Sequence, residues 1–215
     1  MALKSKRLYS VKEIYYTIQG EGYHTGQPAV FLRFSGCNLW TGLEKDRAMA
    51  QCQFCDTDFW GTDGPSGGKY TALQLVELCL SKWPDPQNQP WIVCTGGEPL
   101  LQMDEELINT FHDHACYIAI ETNGTIKIPD DIDWVCVSPK LNSDLIVHQG
   151  DELKLVYPQK GVELELYEKM SFQHYSLQPL DDANQDQNIK DCIDLCKQRT
   201  KWRLSLQTHK FMGIP

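Results

Sequence analysis

The sequence predicts an α/β fold: an incomplete, open parallel β/α barrel of about six units, with a β extension at the N-terminus and a long loop after the second strand. Three observations predict it. Beyond residue 70, short β-type runs alternate with segments whose apolar residues recur at helical spacing, the pattern of parallel strands joined by covering helices. The chain has 215 residues, whereas a closed barrel of eight units takes about 250. The first two β-type runs are joined by a glycine-rich connection with no helical segment between them. No repeat and no low-complexity segment divides the chain, so residues 1–215 read as one domain.

The β-type runs of the extension are residues 11–18 and 29–34, linked through Gly20, Gly22, Gly26 and Pro28. Residues 35–69 follow as an irregular stretch holding three cysteines and six glycines, and a loop of that length is usually functional or disordered. Thr71 with Gln74 then forms a capping box for a helix whose apolar stripe is Leu73, Val76, Leu80 and Trp83, stopped by Pro84. A strand at 91–95 precedes a helix from about Asp104 that turns Leu107, Ile108 and Phe111 inward. Further strands are expected at 117–121, 134–138, 153–157, 173–178 and 202–206. Helices are expected at 162–170 and 184–199, the latter with Ile189, Cys192, Ile193 and Cys196 on one face. In such folds the chemistry lies at the carboxyl ends of the strands.

Composition excludes several function classes. A hydrophobic content of 41% supports a real core, and a net charge of −9 repels phosphate backbones and anionic bilayers, so neither direct nucleic-acid binding nor membrane association is expected. The apolar runs fall far short of a bilayer span and the start MALKSKRLYSVKE has no apolar signal core, which points to a soluble, cytoplasmic chain. Nine cysteines is an odd number, and most lie inside apolar stretches, so they read as reduced thiols, some of them ligands.

Cys37, Cys52 and Cys55 lie in the long loop, the last two spaced C-x-x-C so that both sulfurs can face one centre. None of the six histidines lies in that loop. Three thiolates would leave one iron of an iron-sulfur cluster open to a substrate or cofactor, whereas structural zinc would need a distant fourth ligand; both readings stand on spacing alone. The segment Thr95-Gly96-Gly97-Glu98-Pro99 ends a strand with two glycines that admit close backbone approach to a ligand. The remaining cysteines are less informative: Cys79, Cys94, Cys116 and Cys136 read as small buried apolar residues, and Cys192 with Cys196 as core packing. His112 and His114 sit near a helix end, where the dipole favours a cation without any ligand role.

Together, the cysteine loop and the GGEP turn resemble the radical S-adenosylmethionine superfamily, whose three loop cysteines hold a 4Fe-4S cluster. Most of its members space them C-x3-C-x2-C, but here fourteen residues separate Cys37 from Cys52. That expanded spacing, with Thr17–Gly22 (TIQGEG), Arg33–Asn38 (RFSGCN), Cys55–Thr57 (CDT) and the ending at Pro215, is similar to the 7-carboxy-7-deazaguanine synthase family over essentially the whole chain. The resemblance implies a lyase that uses S-adenosylmethionine to convert 6-carboxy-5,6,7,8-tetrahydropterin to 7-carboxy-7-deazaguanine with loss of ammonia, on the route to queuosine and related 7-deazapurines. It implies cluster ligation by Cys37, Cys52 and Cys55, and Mg2+ at the hydroxyl of Thr57. It places S-adenosylmethionine against Phe54, Cys55, Asp56, Gly97, Ser138, Pro139, Lys140, Gln178, Pro179, Leu180 and Asp181. The substrate falls to Ile18, Gln19, Gly20, Glu21, Arg33, Thr95, His209 and Pro215. A carboxylate such as Glu21 can accept from a guanidine-like pterin edge, and Arg33 suits an anionic carboxylate. A reducing partner such as flavodoxin or ferredoxin and a homodimer are likewise implied. An activase of a partner protein, a zinc-stapled domain and an electron carrier are the alternatives; the last would want four cysteines and gives the GGEP turn no task.

Overall fold

The structure is a computed structural model and describes residues 6–215; the first five residues of the N-terminal segment read above lie outside it. Among the described residues nine strands form one sheet: β1 (Tyr9–Ile18), β2 (Pro28–Phe34), β3 (Gly68–Tyr70), β4 (Trp91–Gly96), β5 (Tyr117–Thr122), β6 (Trp134–Val137), β7 (Gln149–Tyr157), β8 (Ser171–Pro179) and β9 (Arg203–Leu204). Their spatial order is β3-β1-β2-β4-β5-β6-β7-β8-β9. From β2 through β9, neighbours pair in parallel, while β1 pairs antiparallel with both β2 and β3. The expected open, incomplete parallel α/β architecture with a β extension at the N-terminus is therefore present, and the structure adds that the extension pairs antiparallel. Helices α1 (Ala72–Leu80), α2 (Glu105–Asp113), α3 (Leu164–Glu168), α4 (Gln185–Gln198) and α5 (Thr208–Met212) complete the fold.

Helices α1 and α2 cover β1, β2, β4 and β5 over a core that includes Val30, Leu32, Ile92, Ile118, Leu75, Leu107 and Phe111. A second core, with Leu153, Leu155, Leu177, Leu164 and Cys192, lies under α3 and α4. On the opposite face a small apolar patch of Ala29, Val93 and Ala119 is flanked by Phe31, Trp91 and Trp134. Next to it Tyr23 and His24, from the β1–β2 connection, stack among Trp91, Trp134 and His174. Toward the carboxyl ends of the strands this face turns polar.

Several element details differ from expectation. The capping box at Thr71 and Gln74 forms, and it fixes the register of α1 so that Ala72, Leu75, Val76 and Cys79 face the core. Leu73 lies about 100° round from that stripe and is exposed. The helix ends at Leu80, before Pro84, in turns that bond Lys82 N to the Cys79 carbonyl and Trp83 N to that of Leu80. In α4 the buried positions are Asn188 and Cys192, with Leu195 and Cys196 packed beside them. Ile189 and Ile193 sit at the rim, because Asn188 turns inward to donate to the Leu180 carbonyl and to Asp182. The last strand shrinks to two residues, having a single neighbour to pair with. The stretch 35–69 is not structureless: it contains a 3-10 helix at Glu44–Met49 and ends in β3. His209 lies in α5.

Candidate functional site

Cys37 follows β2, and Cys52 and Cys55 follow the 3-10 helix. All three are free thiols lining one cavity together with Leu39, Trp40, Phe54 and Phe59. Burial pushes the Cys37 thiol up; the interaction of the neighbouring Cys52 and Cys55 thiols pushes Cys55 down to about 6 and Cys52 up. Among the described residues, no three His, Cys, Asp or Glu side chains are set closely enough for one metal ion. The thiols instead border a shared space. That fits a multi-iron cluster, in which each thiolate takes its own iron, better than a single tetrahedral zinc.

The GGEP turn is docked against this loop. A Cβ added to Gly97 would lie 2.3 Å from the Gly36 carbonyl oxygen and 2.6 Å from Cys37 Cβ, so only glycine lets β4 end beside the first cysteine. Gly97 still lines the cavity, but the space its missing side chain leaves is taken by the chain itself. Glu98 is fully buried and accepts from Leu100 N, Thr122 Oγ1 and Asn123 N at 2.8–3.0 Å. Asn123 in turn donates to Asn38 Oδ1 at 2.9 Å, tying the residue after Cys37 to the end of β5.

Of the residues expected at the cofactor, Phe54, Cys55, Asp56, Gly97, Ser138, Lys140, Gln178, Pro179, Leu180 and Asp181 line the same cavity as the thiols. Pro139 does not: it is buried behind the wall, its carbonyl facing Gln159. Lys140 Nζ folds back onto the hydroxyl and carbonyl of Ser138. Asp56 and Asp181 both pair with Lys210 Nζ, at 2.6 and 2.5 Å.

All eight expected substrate residues line a second cavity: Ile18, Gln19, Gly20, Glu21, Arg33, Thr95, His209 and Pro215. It shares Glu21, Asp56, Thr57, Thr95, Glu121, Lys154 and Gln207 with the first, so the two are halves of one groove at the carboxyl ends of the strands. Arg33 is already engaged, its Nε on Glu13 at 2.7 Å and its Nη2 on the Tyr15 hydroxyl at 2.9 Å. His209 packs on Gly20, where a Cβ would come within 2.3 Å of its Nδ1, and burial holds its pKa down. Thr17 Oγ1 donates to the Pro215 carbonyl at 2.9 Å.

At the junction, Lys154 Nζ lies 2.7 Å from Glu21 and 2.9 Å from Glu121. Burial works to raise the Glu21 carboxyl, but the charge and hydrogen bond of Lys154, with a further bond from Gln207, hold it at about 2. Burial wins at Glu121, whose pKa is raised despite Lys154. Lys154 itself is pushed well up by the two carboxylates, against the opposing effect of burial. Two carboxylates sharing one ammonium thus titrate apart.

The chain is 52% identical to 7-carboxy-7-deazaguanine synthase of Burkholderia multivorans over 208 residues, spanning 96% of this chain and 99% of that one. The chain belongs to the 7-carboxy-7-deazaguanine synthase family. It is accordingly an enzyme. The 7-carboxy-7-deazaguanine synthase of Bradyrhizobium diazoefficiens is 51% identical over 207 residues, again spanning 96% and 99% of the two chains. The fold is also that of QueE from Escherichia coli, whose crystal structure matches with a TM-score of 0.68 and 25% identity, covering 93% of each chain. No family model matches the chain.

Sequence reading missed Glu121, Lys154 and Gln207 in this groove. A signal for Lys154 was present: it is the charged residue in the apolar run LKLVY, and a charge on a buried strand requires a partner. Glu121 closes a strand in the same way, while Gln207 carries no comparable mark.

Proposed function

We propose that residues 1–215 form one radical S-adenosylmethionine lyase domain that converts 6-carboxy-5,6,7,8-tetrahydropterin to 7-carboxy-7-deazaguanine with loss of ammonia, in queuosine biosynthesis. The observation that carries this reading is the single groove with three thiols at one end, a polar pocket at the other, and Thr95, Glu121 and Lys154 between. When bound, the 4Fe-4S cluster and S-adenosylmethionine supply the reducing electron and the hydrogen-abstracting radical. Cys37, Cys52 and Cys55 hold the cluster, with Leu39, Trp40 and Phe59 as an apolar wall that keeps water from it. Asp56, Gly97, Ser138, Lys140 and the segment 178–181 hold S-adenosylmethionine. Gln19 and the ionised Glu21 receive the donor edge of the pterin, and His209 and Thr95 border its ring. Thr57 lines both halves of the groove, and its hydroxyl suits Mg2+, a hard cation that completes its shell with water and substrate oxygens. A flavodoxin- or ferredoxin-type protein reduces the enzyme, which works as a cytoplasmic homodimer.

The test is anaerobic reconstitution with iron and sulfide followed by reduction in the presence of S-adenosylmethionine. The reading requires a brown protein that releases methionine and 5'-deoxyadenosine. A colourless protein that binds zinc stoichiometrically would defeat it.

A further inference from the structure

The fourteen residues between Cys37 and Cys52 fold into a compact brace whose centre is Arg47. Its guanidinium carbon lies 4.1 Å from the centroid of the Trp40 ring, three residues past Cys37. Trp40 is buried, meets Phe59 edge-on at 5.5 Å, and donates from Nε1 to the Leu43 carbonyl. From this platform Arg47 Nη1 donates to the Gln53 carbonyl at 2.9 Å and the Cys55 carbonyl at 3.0 Å. Its Nε meanwhile bonds both oxygens of Glu44 at 2.8–2.9 Å. One planar side chain therefore joins the limb that carries Cys37 to the limb that carries Cys52 and Cys55. The other tie on Gln53 is its own amide, which donates to the Ala48 carbonyl.

We propose that Arg47 is a positioning residue for the cluster ligands: by stacking on Trp40 and clamping the Gln53 and Cys55 carbonyls, it sets the C-x-x-C limb before a cluster arrives and keeps it set afterwards. This assigns a task to the expanded cysteine spacing. It rests on the reading of the three thiols as cluster ligands. A fork of fixed N–H donors that also stacks is required, and lysine, a point charge on a flexible stem, cannot meet both demands.

The test compares wild-type protein with Arg47→Met and Arg47→Lys, each reconstituted anaerobically. Iron release to a ferrous chelator is followed by absorbance, and the apo proteins are melted in parallel. Both variants should lose iron about 10- to 100-fold faster, the usual cost of removing an outer support from a metal ligand. Their apo melting curves should overlay the wild type, because Arg47 touches neither helix-covered core. Release rates within about twofold of wild type in both variants would overturn the proposal. So would a parallel collapse of apo stability, which would make Arg47 a support of the fold, or full rescue by lysine, which would reduce its part to charge. Wild-type protein that takes up no iron would instead sink the cluster reading itself.

Discussion

Replacing Lys154 with methionine keeps an aliphatic stem in place and removes the ammonium shared by Glu21 and Glu121. Lys154 is 6% exposed and each carboxylate 19%, so solvent screens the arrangement little. Holding the Glu21 carboxyl at about 2 instead of 4.5 stabilises the folded chain by about 3 kcal/mol, at about 1.4 kcal/mol per pH unit. Breaking a buried pair by removing one partner costs a similar amount, about 3–5 kcal/mol. Because the Glu21 pKa is depressed, its contribution is present in full above pH 4.5 and is lost as the pH falls toward 2. In Lys154→Met both carboxyls take up protons well above that window, so the deficit shrinks on acidification. Urea unfolding of both apo proteins at pH 7 and pH 4 measures it. The expected deficit is about 3 kcal/mol at pH 7 and clearly less at pH 4. A deficit below about 1 kcal/mol at pH 7, or one equally large at both pH values, refutes the argument.

Alanine at Cys37, Cys52 or Cys55 should abolish cluster retention and S-adenosylmethionine cleavage, whereas Cys192→Ala, deep in the core under α4, should leave turnover near wild type; iron content with 5'-deoxyadenosine release reads both, and equal losses would overturn the ligand assignment. Gly97→Ala forces a methyl against the Gly36 carbonyl and Cys37, costing about 1–3 kcal/mol by overpacking and lowering iron per chain, as melting and iron assay will show. Thr57→Val should abolish stimulation of turnover by Mg2+ while iron content stays at the wild-type level; a variant still stimulated removes Thr57 from the metal. Phe111→Ala, in the core between α2 and the sheet, should cost about 3–5 kcal/mol in urea unfolding.

The alternation of β-type and helical periods made the sheet readable, and the Thr71–Gln74 box marked the start of α1 to the residue. The box was also the better guide to which face is buried: taken as the first cap, it puts Leu73 outward, where hydrophobicity alone had placed it inward. The cofactor side of the groove was marked by the resemblance that the cysteine loop and the GGEP turn carry together, since neither motif alone separates a cluster from structural zinc or from a plain strand-to-helix turn. The centre of the groove was harder to read, since Glu21, Glu121, Lys154 and Gln207 come from four separate segments and meet only in the folded chain. The charged run from Glu44 to Arg47 carries no mark in the sequence of what it contacts, and only the three-dimensional path of the loop shows Arg47 reaching the carbonyl of a cysteine.

Mass analysis of the reaction mixture is the most direct test of the central claim. The reduced, reconstituted enzyme is incubated with S-adenosylmethionine, Mg2+ and 6-carboxy-5,6,7,8-tetrahydropterin. The account predicts consumption of the pterin and appearance of 7-carboxy-7-deazaguanine with one equivalent of ammonia. Cleavage of S-adenosylmethionine while the pterin is recovered unchanged would contradict it.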